Sequence, residues 1–235
     1  MIGWVQKRWA QACADTIGTD QFWSIAVDHI AIRETLAPLI SHHAKGIVLD
    51  AGAGRLAWRA MLRERAAIYF ASDTFFSHPE LAFLCDVQGG IPLPNASVDT
   101  IFCCSVMEHT PEPWRVLPEF RRILRPGGKI ILSVPFLYYL HGAPQDYFRF
   151  TQFGIARLAA AAGLEVIQIT TSGGLAHSVC QALSMLWTAC LWTSRAPLLA
   201  QIPAHGLAFL ARALDRIDAP GVFRQNVNAV LGTTE

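Results

Sequence analysis

The chain has 235 residues and a formal net charge of +1, the size of one α/β domain with appendages. With no Lys/Arg run it lacks the basic footprint that a nucleic-acid backbone demands, so no nucleic-acid partner is expected. Only 16% of its residues are charged while 52% are hydrophobic, against about 25% charged in typical soluble domains. Disordered and fibrous classes are excluded, and some face is expected to meet a partner, a lipid or an apolar substrate. The six cysteines form no CxxC pair, and Cys103-Cys104 lie in an apolar run where neighbouring side chains face opposite ways, so neither a zinc site nor a disulfide framework is expected. Residues 1–8 lack a signal-like apolar stretch, and no apolar run reaches the eighteen or so residues of a spanning helix. A cytoplasmic protein, peripheral to the membrane at most, is expected.

In chain order, Val5, Trp9, Cys13 and Ile17 recur every fourth residue and predict a first helix ending near Gly18. A second helical stretch carries Ile32, Leu36, Leu39 and Ile40, and Ile47-Val48-Leu49 then reads as a buried strand ending at Asp50. Strand-like and helix-like segments alternate from there: Leu56 to Arg65, Ile68 to Ala71, Leu81 to Cys85, Thr100 to Ser105, Pro113 to Leu124, Lys129 to Val134, Thr151 to Ala162 and Leu164 to Thr170. This alternation predicts a Rossmann-like, mostly parallel sheet with helices on both faces. Arg125-Pro126-Gly127-Gly128 turns a helix into a strand, Thr151 caps a helix and Gly163 ends it. Between Glu165 and Asp215 the only charged side chains are Arg195 and Arg212. There Leu175, Val179, Leu183, Leu186, Trp187 and Leu191 follow helical spacing, with His177, Gln181, Ser184 and Thr188 as an uncharged polar complement; a further helix from Pro203 to Ile217 and a last strand, Asn226 to Leu231, follow. The expected organisation is a helical N-terminal extension (1–45), a cofactor-binding core (46–170), a hydrophobic helical insertion (171–222) and a last strand (223–235).

Asp50-Ala51-Gly52-Ala53-Gly54 follows a buried strand and leads into a helix, so its glycines let backbone approach a ligand at the strand's carboxyl end. Gly52, Gly54 and Ala57 also satisfy the dinucleotide fingerprint, with Asp73 at the ribose position. Asp50 and the later blocks separate the two readings. These are Asp86 after Phe83-Leu84-Cys85, then Leu93 to Phe102, then Ser105-Val106-Met107-Glu108-His109-Thr110, and finally Phe120 to Pro135 with Arg125-Pro126-Gly127-Gly128 inside it.

From Ile47 to Thr170 this series resembles the class I S-adenosylmethionine-dependent methyltransferases of the type 11 family. The resemblance implies a seven-stranded sheet whose last strand, Asn226 to Leu231, is antiparallel. It implies S-adenosyl-L-methionine as cofactor, with Asp50, Ala51, Gly52 and Gly54 at its methionine end, Asp73 on the ribose hydroxyls and Asp86 at the adenine amine. Leu56 stands where many members of the family have another glycine. Phe136 to Thr151 resembles a stretch found in bacterial members, many of them associated with glycan or natural-product pathways.

His141, Asp146, Tyr147 and Arg149 gather beyond the fifth strand, where open sheets bind substrates. His141 is the expected general base, Asp146 its orienting acid, and Tyr147 and Arg149 the acceptor contacts, with His109 as the alternative base. No metal-ligand cluster is evident in the sequence. Methyl transfer to an oxygen or nitrogen of a small-molecule, glycan or lipid-like acceptor is the expected activity. A nicotinamide-dependent oxidoreductase and a non-catalytic, membrane-associated cofactor-binding protein are the alternatives. Residues 171–222 are expected to supply an apolar acceptor pocket, a homodimer face or a membrane-surface contact.

Overall fold

The computed structural model describes residues 3–216 and 224–233; the expected helix end at Ile217 and the close of the insertion at Val222 lie outside them. The chain divides into two compact units, one of residues up to Thr35 with those from Ser172 to Gln225, the other from Leu36 to Thr171 with those from Asn226 onward.

The second unit is built on a sheet of seven strands: β1 (Ile47–Ala51), β2 (Ile68–Asp73), β3 (Phe83–Leu84), β4 (Val98–Cys104), β5 (Leu124–Pro135), β6 (Glu165–Ser172) and β7 (Asn226–Gly232). Their order is β3-β2-β1-β4-β5-β7-β6. The first five pair in parallel, and β7 runs antiparallel to β5, as expected. The apolar runs of β1, β4 and β5 are buried on both faces, which a parallel sheet requires. Leu49, Ile101, Cys103, Ile130 and Leu132 share one core with Leu117 and Phe120 of α4 (Val116–Ile123) and Ile155 of α5 (Gln152–Ala161). Thr151 caps α5 by accepting from the Gly154 amide at 3.0 Å.

Two expectations shift. The helix expected over Leu56 to Arg65 is reduced to α3 (Arg59–Arg63), because Leu56 adopts the left-handed conformation, φ 61°, which no helix continues through. Arg125 to Gly128 is a bulge inside β5 rather than a turn before it. Val98 pairs with Leu124 and Thr100 with Lys129, while Gly127, at φ 72°, donates its amide to Thr233 Oγ1 at 2.8 Å.

The first unit holds α1 (Trp4–Thr16), most of α2 (Val27–His43), α6 (Leu175–Leu191) and α7 (Leu198–Asp215). Helix α6 reverses the usual polarity. His177, Gln181, Ser184 and Thr188 are buried, and Leu175, Val179, Leu183, Leu186, Trp187 and Leu191 are exposed. Its ends are held by charges: Asp215 accepts from the Ala176 amide and from His177, and the Arg8 guanidinium donates to the Ala189 and Trp192 carbonyls. Helix α7 buries an alanine stripe, Ala200, Ala204, Ala208 and Ala211, and exposes Leu198, Ile202 and Phe209. Pro203 does not start this helix but lies inside it. A proline there has no N–H for the carbonyl four residues back, and that carbonyl, of Leu199, accepts from the Trp187 indole at 2.8 Å instead. Among the described residues no helix is long and apolar enough to cross a membrane.

Two staples in the sheet unit join segments far apart in sequence. Arg122 donates to the Ile91 and Leu93 carbonyls and to Asn95, and pairs with Glu119 at 2.6 Å. Asp99 accepts from the Ile47 amide at 2.7 Å and pairs with Arg125 at 3.0 Å. Arg122→Ala strands two carbonyls and Glu119, so it is expected to destabilise the fold by about 1.5–3 kcal/mol. Urea unfolding measures this, and a loss no larger than that of Arg121→Ala would show that Arg122 staples nothing.

Candidate functional site

The carboxyl ends of β1 and β2 are sewn together. The Gly52 and Ala53 amides both donate to the Ser72 carbonyl at 2.9 Å, and the Gly54 amide donates to Asp73 Oδ2 at 2.7 Å. Gly52 requires its missing side chain: it sits at φ 75°, and a Cβ there would run into Val106. Gly54, at φ 53°, faces open space, with nothing within 4 Å of the place a Cβ would take. Asp73 also accepts from the Phe75 amide at 3.3 Å. A carboxylate has about four lone-pair sites, so capacity remains for a ligand's hydroxyls. Phe75 and Phe76 are strongly exposed next to it.

Asp50, one residue before the end of β1, is almost fully buried and accepts from the Tyr69 hydroxyl at 2.9 Å. Burial pushes its carboxyl up to about 7; the Tyr69 hydrogen bond pulls down and the Asp73 charge pushes further up. Asp86 is exposed two residues after β3, and both of its oxygens accept from Gln88, one from the amide and one from the side chain. Gln88 in turn accepts from the Glu112 amide at 3.0 Å.

Beyond β4 and β5 a second group of side chains converges. Ser105 leaves β4 at φ 55°, and a 3₁₀ turn, Met107–His109, follows. The Glu108 carbonyl then accepts from the Tyr147 and Phe148 amides, which ties the segment after β5 to the end of β4. The Glu108 carboxylate has no exposed surface, and neither oxygen has a hydrogen-bond partner. Its Oε1 lies 3.6 Å from His141 Nε2 and 3.9 Å from His109 Nε2. The two imidazoles meet edge to face at 4.8 Å. Each turns its other nitrogen to a carbonyl, His109 Nδ1 to Gln145 and His141 Nδ1 to Tyr139 at 3.2 Å. Burial disfavours the charged form of His141, but the Glu108 carboxylate, the Tyr139 carbonyl and Asp146 outweigh it and hold the imidazole above its ordinary value.

Asp146 accepts from the His141 amide at 2.7 Å and lies 3.5 Å from His141 Nδ1. The Arg149 fork on the same carboxylate holds it down at about 2. Arg149 spends its remaining donors on the Tyr138, Tyr139 and Phe148 carbonyls. It therefore frames the segment, and no guanidinium N–H is left over for an acceptor. Tyr147 is exposed.

Two groups escaped the sequence reading. Tyr69 lies on β2 with nothing in the pattern to aim it at Asp50, and Glu108 reads as a loop residue. Nothing in the spacing says that His141 returns to Glu108, because the approach is made by the fold of the segment after β5.

The family profile described as "Methyltransferase domain" (Methyltransf_11) matches residues 49–132. An uncharacterized methyltransferase of Mycobacteroides abscessus is 42% identical over 55 residues, 23% of this chain and 21% of that relative, so the match spans about a fifth of the relative's length. Among solved structures, the [4+2]-cyclase SpnF superposes with a TM-score of 0.58 at 16% identity, covering 86% of this chain and 81% of that one. The 1,6-didemethyltoxoflavin-N1-methyltransferase of Burkholderia thailandensis, with bound 1,6-didemethyltoxoflavin and S-adenosylhomocysteine, gives 0.54 at 18% identity, covering 87% and 79%. At such identities the likeness is one of fold, and a cyclase among the neighbours shows that the fold alone does not name a reaction. The ordered blocks of residues 49–132 thus lie within the stretch that matches the methyltransferase-domain profile, and over part of that stretch the chain is similar to methyltransferases.

Proposed function

We propose that this chain transfers a methyl group from S-adenosylmethionine to an oxygen or nitrogen of a small-molecule, glycan or lipid-like acceptor. The observation that carries the reading is Asp73. The acid that would take the ribose also pins the Gly54 amide, so the glycine loop and the ribose acceptor are built as one piece. The donor set fits the cofactor: open space over Gly54, spare lone pairs on Asp73, a buried acid at Asp50 and exposed aromatic rings at Phe75 and Phe76. Asp50, Ala51, Gly52 and Gly54 would hold its methionine end, Asp73 its ribose, and Asp86 with Gln88 its adenine edge. When bound, the cofactor supplies an electrophilic sulfonium methyl. On the acceptor side His141 and His109, with Glu108 between them, activate the nucleophile, while Asp146 and Arg149 hold His141 in place and Tyr147 borders the acceptor.

The expected ligand response is specific. S-adenosylhomocysteine should raise the melting temperature where NAD and NADP do not. Asp73→Ala should weaken its binding by about 1.5–3 kcal/mol, the worth of a charge-assisted hydrogen bond. Calorimetric titration measures this, and unchanged affinity in the variant would remove Asp73 from the site.

Asp50 gives the binding a pH dependence with a definite sign. Tyr69 donates to it, the Asp73 charge lies near, and its carboxyl titrates at about 7. Below that pH the group is neutral and offers no charge to the cofactor's ammonium. Affinity for S-adenosylhomocysteine should therefore rise between pH 6 and 8, by at most about tenfold per pH unit on the acid side, and Asp50→Asn should flatten the rise. An equal slope in both proteins would assign it to the ligand's own amine.

The outward apolar faces of α6 and α7, which carry so few charges, support an interfacial contact with lipid through residues 171–222. Flotation with anionic vesicles should carry the protein up, and Trp187→Ser with Phe209→Ser should reduce the floated fraction severalfold. Flotation equal to that of the double variant, together with a dimer by light scattering, would assign the face to a second copy instead.

A further inference from the structure

We propose that Glu108, His109 and His141 form a binding site for a divalent transition-metal ion. The argument begins with hydrogen-bond roles. His109 Nδ1 faces the Gln145 carbonyl and His141 Nδ1 faces the Tyr139 carbonyl. A carbonyl only accepts, so both Nδ1 atoms carry the proton, and in the neutral rings both Nε2 atoms are bare lone pairs. Both Nε2 atoms lie within 4 Å of Glu108 Oε1, itself an acceptor. With both rings neutral, three acceptors thus meet at 3.6 and 3.9 Å, beyond hydrogen-bond length, and only a bound cation or an added proton relieves them.

Burial sharpens the conflict. Glu108 has no exposed surface, and neither of its oxygens has a partner, an arrangement that is costly unless a cation joins it. The ligand atoms of the three residues all lie within 4.8 Å of one another, so closing them by a few tenths of an ångström around an ion reaches bonds to imidazole and carboxylate of about 2.0–2.2 Å. The shell behind them is also in place. Each histidine has its far nitrogen on a carbonyl, and His141 has the Asp146 carboxylate at 3.5 Å, the outer-shell pattern of metal-ligating histidines. Gly142 makes room: it sits at φ 69°, and a Cβ there would come within 2.8 Å of the His109 ring.

Two imidazoles and one carboxylate suit zinc, manganese or iron(II) better than magnesium or calcium, which prefer oxygen ligands alone. Three protein ligands leave positions open. The use of those positions rests on the methyltransferase reading. An acceptor hydroxyl bound there would have its acidity raised and give its proton to solvent, leaving an alkoxide with lone pairs free to take the methyl group. The structure brings the three residues together, while the sequence keeps His141 more than thirty positions from Glu108.

The test is titration of the metal-free full-length protein with Zn²⁺, Co²⁺ and Mg²⁺, followed by calorimetry and by the visible absorption of bound Co²⁺. The expected result is about one equivalent of Zn²⁺ or Co²⁺, with Mg²⁺ much weaker. Binding should weaken more than about tenfold in Glu108→Gln, in His109→Ala and in His141→Ala, while each variant keeps S-adenosylhomocysteine affinity within about twofold. Three variants guard against one failing to fold. No saturable binding by the parent protein, or equal binding in all three variants, would overturn the proposal. Metal binding without S-adenosylhomocysteine binding would leave the metal site standing and remove the methyltransferase reading.

Discussion

The cluster of side chains beyond β4 and β5 depends on one residue placed against solvation. Glu108 sits at the turn that leaves β4, and its main-chain carbonyl takes two amides from the segment after β5. Its carboxylate, sealed from water, faces both histidines. Removing an ionised carboxylate from water costs several kcal/mol unless charge and hydrogen bonds are returned to it. The fold sets both imidazoles beside it but no donor within hydrogen-bond distance. The backbone that closes over Glu108 is thus the same backbone that delivers His141, and the Asp146–Arg149 pair makes that delivery rigid.

The glycine loop beside β2 works differently, with its amides and the Asp86 carboxylate partnered before any ligand arrives. Gly52, Ala53 and Gly54 have amide partners on β2, and Asp86 is closed on Gln88. What remains for a ligand is lone-pair capacity on Asp73 and space over Gly54. One half of the site is preorganised by hydrogen bonds and the other holds an unresolved concentration of acceptors. That contrast is what the proposed division between cofactor binding and acceptor activation calls for.

The sheet was legible in the sequence because a parallel strand buried on both faces must be a continuous apolar run, as Ile47-Val48-Leu49 and Ile130-Ile131-Leu132 are. The blocks that carried the family resemblance were legible for a less obvious reason. Arg122 reaches Ile91, Leu93 and Asn95, and Asp99 reaches Ile47 and Arg125. Much of that pattern is a set of staples between neighbouring loops, so it marks the fold more than the chemistry. Other features were beyond the sequence. Helical spacing located two stripes on α6 but could not say which faces inward, and the inward one is polar, fixed by Asp28, Ile25 and Asp215. Likewise no spacing rule brings His141 to Glu108.

Leu56 shows how a departure from the family pattern is absorbed. A left-handed conformation costs a side-chain-bearing residue roughly 1–2 kcal/mol, which explains why glycine is common there. Here the side chain is 3% exposed, and burying a leucine returns about 1.5–3 kcal/mol. The exchange is close to even in stability and uneven in rigidity. A glycine would leave the loop free to sample other conformations, whereas a buried leucine anchors its far end just as Asp73 anchors its middle through Gly54. The loop that must hold its shape around a charged ligand is fixed at two points, one polar and one apolar, and neither uses the open space over Gly54 that a ligand would need.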